Sequence, residues 1–295
     1  MILSMTGFGK ATAESAHKKM TVEIKSLNSK QLDLSMRVPP YFRELEVETR
    51  NRLAPRLERG KIELAVIVDS LVAETPATLN VEVLKVYKAQ VEAAALELGI
   101  PEPSDWYSVL LRMPDTMKTE YAKLEQEDIE AFGRACNEAT AALIESRQRE
   151  GRKLYDFFLQ KIANIGHLLD EVEPFEQERV PRIRARLEDQ LTRLQSIEYD
   201  AGRLEQELIF YIEKLDVSEE KLRLRSHLNY FVETLGGADV LPAAGQGKQL
   251  GFIAQEIGRE INTLGSKANH ADMQKIVVKM KDELEQIKEQ VLNVL

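Results

Sequence analysis

The residues best suited to chemistry are concentrated between Gly247 and Lys267, in GKQLGFIAQEIGREINTLGSK. Glu256 and Glu260 fall one helical turn apart, Thr263 and Lys267 continue their row, and Arg259, Asn262 and Ser266 form a second row beside it. Two carboxylates so spaced can share a hard divalent cation, and Arg, Asn and Lys can hold phosphate oxygens. The plain alternative is a solvated helix face, because carboxylate pairs one turn apart are common on exposed helices. Upstream, Glu220, Arg223 and His227 line one face of another helix and join an acid, a cation and an imidazole. A histidine so placed can act as general acid, general base or metal ligand, or can be a hydrogen-bonded structural group. His17, His167 and His270 have no comparable pattern of partners and receive no role.

These rows need elements to hold them. Phe252, Ile253, Ile257, Ile261 and Leu264 recur at three- and four-residue spacings, which predicts one amphipathic helix with its apolar stripe packed and its polar rows facing away. Gly251 and Gly258 each cost such a helix about 1 kcal/mol relative to Ala, so a close approach by water, RNA or a neighbouring helix is expected there. Asp216 or Ser218 is placed to cap the helix that carries Glu220 and His227. Between the two helices, LGGADVLPAAGQG from Leu235 to Gly247 reads as a mobile linker or a lid.

The remainder of the chain suggests an α+β fold. Met20, Val22 and Ile24 alternate with polar residues, and Leu32, Leu34, Met36 and Val38 do so again after Leu27-Asn28-Ser29, which predicts a hairpin. A helix ending near Gly60 and a strand through Ile62, Leu64 and Val66 follow. From Asn80, a predicted cap, the pattern turns helical. A helix runs to Leu98 and stops at Gly99, and a long one spans 127–173 with Cys136 on its apolar stripe. Trp106 and Tyr107 read as core, with base stacking as the alternative, and the Arg182, Arg184, Arg186, Arg193 row reads as a solvated arm or an RNA guide. We divide the chain into a strand-rich N-terminal domain 1–125, a long helical arm 126–200 and a helical C-terminal domain 201–295. A net charge of −9 argues against indiscriminate polyanion binding, so any nucleic-acid site must be local. One cysteine and no long apolar run point to a reducing, cytoplasmic setting away from the membrane.

The stretch Gly247 to Lys267 also resembles the signature of the YicC/YloC family, with Gln255, Glu256, Arg259, Glu260, Asn262, Thr263, Ser266 and Lys267 at matching positions. Gly251 and Gly258 depart, standing where many members carry Asp and Asn. SMTGFG at Ser4 to Gly9, RGKIEL at Arg59 to Leu64, and the run from Arg203 to His227 resemble further family motifs. Thr6, Gly7 and Gly9 would then form either a tight strand bend or a bend that offers backbone N–H groups to phosphate. The resemblance implies a bacterial endoribonuclease that cleaves single-stranded or structured RNA, depends on Mn²⁺ or Mg²⁺, and assembles as a homo-oligomer, a hexamer enclosing RNA. Other RNA-decay proteins would be further partners. On that premise Glu256, Glu260 and Glu220 would hold the metal, and Arg259 and Lys267 would act on the reacting phosphate while His227 moves the proton. Arg223, Arg259, Asn262, Thr263, Ser266 and Lys267 would bind RNA. An RNA-binding adaptor and an assembly protein with an intersubunit ion-pair network remain the alternatives.

Overall fold

A computed structural model describes residues 2–71, 77–119, 124–193, 201–237 and 245–295. Four strands, β1 (Gly7–Glu14), β2 (Lys18–Leu27), β3 (Leu32–Arg37) and β4 (Gly60–Ser70), form a sheet in the order β1-β2-β4-β3. The expected hairpin between the second and third strands does not form. A short 3₁₀ turn and helix α1 (Glu46–Leu57) carry the chain across, so β4 enters beside β2 and pairs in parallel with β3. A parallel neighbour needs such a crossover, whereas the true hairpin, β1 with β2, closes through a tight turn at 15–17. Alternation places Met20, Val22, Ile24, Ile62 and Leu64 on the buried face.

A small appendage follows: strands β5 (Ala77–Leu79) and β6 (Met117–Thr119) with helices α2 (Val81–Leu98) and α3 (Trp106–Leu110). Asn80 caps α2 by accepting from Val83 N, and Gly99 ends it in the left-handed region, both as the sequence predicts. Trp106 is half-buried beneath Lys88, but Tyr107 is 81% exposed and so is not a core residue.

Helix α4 (Gln126–Asp170) has 45 residues, and at about 1.5 Å per residue it joins two hydrophobic cores. Its first half gives Phe132, Cys136, Ala139 and Leu143 to the sheet core; its second half gives Phe158, Ile162, Ile165 and Leu169 to a helical core. Burial pushes the Cys136 thiol up to about 12, so at neutral pH it is an inert space-filler. Gly7 and Gly9 lie inside β1 rather than in a bend. A Cβ on Gly9 would stand 2.1 Å from Ala139 O, so this strand packs directly on the backbone of α4. Arg147 of α4, almost wholly buried, donates to Leu57 O, Ser26 Oγ and Arg59 O. Its charge meets carbonyls at the C-terminal end of α1, where the helix dipole favours a cation.

The helical part continues with α5 (Glu173–Arg193), α6 (Ala201–Leu215), α7 (Ser218–Leu235), α8 (Gln246–Lys267) and α9 (Ala271–Val291). Pro174 falls in the first turn of α5, and Pro181 lies inside it without ending it. Residues 238–244, the greater part of the expected linker or lid, lie outside the described residues. The chain ends meet: Met5 N donates to Asn293 O, Leu295 N to Leu3 O, and Arg59 Nη2 to Val294 O. The SMTGFG and RGKIEL segments thus clasp the C-terminus. Among the described residues no helix is long and apolar enough to cross a membrane.

Candidate active site

The site is built on the antiparallel pair α7 and α8. Gln246 at the start of α8 donates to the carbonyls of Thr234 and Leu235 at the end of α7, and Gln249 Nε2 donates to Tyr230 Oη. At the other end Lys267 Nζ reaches Glu220 Oε1 at 2.7 Å. These ties fix the register, and they set half-buried His227 against the stretch of α8 that carries Glu256 and Glu260.

The apolar seam beneath consists of Leu224, Leu228 and Phe231 from α7 and Leu250, Ile253, Ile257, Ile261 and Leu264 from α8. Phe252 does not belong to it. Expected on the packed stripe, it is 57% exposed under Lys248, because the seam turns through Ala254 and Gly258 instead. Gly258 answers the close-approach question in favour of a neighbouring helix, since a Cβ there would meet Leu284 Cδ2 of α9 at 3.2 Å. Gly251 would meet Val291 only at ordinary contact distance.

Burial separates the acids that spacing alone made equivalent. Glu260 is only 9% exposed, on the flank of the seam rather than on the open face, and has no hydrogen-bond or ion-pair partner among the described residues. Glu256 is open and bonded to Arg259 at 2.6 Å. Glu220 is 6% exposed, its Oε1 taken by Lys267 and its Oε2 buried without a partner. The three do not gather as one set: among the described residues no group of three His, Cys, Asp or Glu is placed to hold a metal ion. The donor chemistry still suits a hard cation, because Glu220 Oε2 is a buried carboxylate oxygen without a partner and the Glu260 carboxylate has no partner among the described residues. A Mg²⁺-type ion needs only one or two of them beside water.

Of the remaining residues, Asn262 is exposed with its amide free among the described residues. Thr263 Oγ1 donates to Arg259 O and Ser266 Oγ to Thr263 O, so both hydroxyls spend their protons on their own helix and can only accept from a ligand. Arg223 stands apart, turned outward and paired with Glu219. Asp216 accepts from Ser218 N and Oγ just before α7; these bonds outweigh the opposing effect of its slight desolvation and hold its carboxyl below the usual range, with Lys267 adding attraction.

Sequence reasoning missed Arg179. This buried residue of α5 donates through Nη1 to Leu215 O, Lys267 O and Ala268 O, so it neutralises the carbonyl ends of α6 and α8 and seats Lys267. Burial lowers its pKa against the attraction of Glu176 and Asp216. Only its place in an arginine-rich run hinted at a role. His270, given no role, caps α9 by accepting from Asp272 N.

Comparison with known proteins matches residues 2–156 to a family described as Endoribonuclease YicC-like, N-terminal region, and residues 172–295 to Endoribonuclease YicC-like, C-terminal. A Clostridioides difficile (strain 630) protein called "Probable endoribonuclease YicC" is 30% identical over 310 aligned positions, which cover all of both chains. A Haemophilus influenzae protein of the same name is 31% identical, covering 99% of each.

Proposed function

Because this chain belongs to the endoribonuclease YicC-like family along its whole length, we propose that it cleaves RNA at internal phosphodiester bonds in the groove between α7 and α8, with a divalent cation as cofactor. The observation that carries this reading is that one packed helix pair carries His227 and the little-exposed Glu260, both without partners among the described residues, together with the Glu220–Lys267 bond and the Arg259 row. Glu256 and Glu260, one turn apart on α8, would hold Mn²⁺ or Mg²⁺ with water completing its shell while Glu220 stays on Lys267, and the ion would supply polarisation of a nonbridging phosphate oxygen or activation of water. Arg259 is free to act because its exposed pair with Glu256 is worth only about 0–1 kcal/mol and is readily exchanged for a phosphate contact. Asn262 donates beside it, while Thr263 and Ser266 accept from ribose hydroxyls rather than grip phosphate. Lys267, held by Glu220, offsets charge developing on the phosphate, and His227 accepts or returns the proton. Products ending in 2′,3′-cyclic phosphate would identify the 2′-hydroxyl as nucleophile.

The reading extends to a cytoplasmic homo-oligomer, hexameric by family resemblance. Supporting assembly, Val81, Val86, Leu96, Leu98, Ile100 and Tyr107 are all more than half exposed on the appendage, an apolar surface that calls for a cover. The test is cleavage of labelled single-stranded RNA in Mn²⁺, Mg²⁺ or EDTA by the native protein and by Glu256→Gln/Glu260→Gln of the same oligomeric mass. Native cuts that vanish in EDTA and drop at least a hundredfold in the variant are expected. Equal cutting by both proteins would move the chemistry elsewhere, and tight binding without cutting would make the protein an adaptor.

A further inference from the structure

Where α8 hands over to α9, a cavity of about 260 Å³ opens against α5, lined by Arg179, Arg182, Ile183, Arg186, Asn269 and His270. Three guanidiniums on one cavity wall repel one another, and nothing among the described residues offsets the outer two by contact. Arg182 and Arg186 make no hydrogen bond or ion pair there. Arg182 lies in the field of Asp272, but that carboxylate is bonded to Lys275 at 2.8 Å. The neighbouring arginines behave differently: Arg184 pairs with Glu205 and Arg193 with Asp189. Every second position of the arginine row is therefore neutralised on the solvent side, while Arg182 and Arg186 face the cavity with their charge intact.

Arg179 and His270 add further donors. Arg179 is 6% exposed, and its Nε is buried without any partner although Nη1 is fully engaged. An arginine nitrogen left so carries a desolvation cost that an anion in the cavity would remove. His270 accepts the Asp272 amide through Nδ1, which leaves the proton of the neutral ring on Nε2. Its ring lies against Phe175, centroids 5.3 Å apart, so it is fixed in place. Asn269 is held at φ 41°, and the row Arg259, Asn262, Ser266 on α8 leads directly toward it.

We propose that this cavity holds a phosphate group of the RNA strand engaged in the α7–α8 groove, with Arg182, Arg186 and the Arg179 Nε as its donors. This rests on the nuclease reading of the groove and extends it, because Arg179 binds the carbonyls of Lys267 and Ala268 and so joins the cavity to the end of the reactive row. The phosphate is either an internal phosphodiester beyond the cleaved bond or a terminal 5′-phosphate.

The test uses the full-length protein in EDTA and fluorescein-labelled single-stranded RNA, 5′-hydroxyl or 5′-phosphate, with anisotropy read across a salt series. Arg182→Gln/Arg186→Gln should weaken binding about tenfold and make the salt slope shallower by about 0.7, the value for one lost phosphate contact on a single strand. Arg193→Gln, which removes a charge outside the cavity, should change neither, and Arg182→Lys/Arg186→Lys should retain part of the affinity. Unchanged helix content and thermal midpoint would show that the fold persists. Loss with both RNAs assigns an internal phosphodiester, and loss only with the phosphorylated RNA assigns a 5′ terminus. If the native protein binds RNA and the Gln variant binds it equally with the same slope, the cavity proposal fails while the groove reading stands. If the native protein binds no RNA either in EDTA or with Ca²⁺ in its place, both fail.

Discussion

At the scale of single residues, the site depends on how one buried acid is satisfied. Glu220 has one oxygen on Lys267 and the other on nothing, and Lys267 is in turn seated by Arg179 beneath its carbonyl. Lys267→Met should therefore cost more than an exposed ion pair would, about 1–3 kcal/mol, since it strands a carboxylate away from water. Adding Glu220→Gln should restore most of that loss, because the charge needing a partner is gone. Denaturant midpoints of the two single variants and the double variant measure this, and additive losses would show that the two side chains act independently. The row of polar residues was legible in the sequence. That Glu260 is buried and Glu256 open was not, since spacing gives a face of a helix but not which edge of that face meets a neighbour.

At the scale of elements, close backbone contact matters more than propensity. β1 lies on α4 with Gly9 against Ala139 O, so Gly9→Ala must push the strand off the helix, at a cost of about 1–3 kcal/mol or more. Gly251→Ala makes the contrast: its Cβ would find only Val291 Cγ1 at 3.6 Å, and helix propensity should leave stability unchanged or improved. Thermal midpoints of the pair check this, and equal losses would refute the packing argument. The sequence marked these glycines as unusual and could not say why. The approaching group comes from residues more than a hundred positions away for Gly9, and from α9 for Gly258.

At the scale of the molecule, two cores are tied by one helix and one clasp. α4 runs through both, while the last residues reach back to Leu3, Met5, Asn28 and Arg59. Deleting Leu292 to Leu295 should remove these bonds and the buried Val294 side chain from the edge of the helical core, while α4 still runs through both cores. Calorimetry is then expected to show the sheet half and the helical half unfolding at separate temperatures. A single transition at the native midpoint would mean that α4 couples the halves unaided.

The sequence by itself determined what short-range physics controls. It set the caps at Asn80 and Gly99, the alternation of β2 and β4, the long apolar stripe of α4 and the polar rows of α8. Those follow from side-chain chemistry and a fixed helical or strand period. Tertiary structure alone decided the strand order, because a crossover through α1 sets β4 between β2 and β3, and pairing partners are not encoded in either strand's period. It alone joined Lys267 to Glu220 and set three arginines of α5 around a cavity at the α8–α9 turn. Burial and charge pairing depend on which surfaces meet, and only the folded chain specifies that.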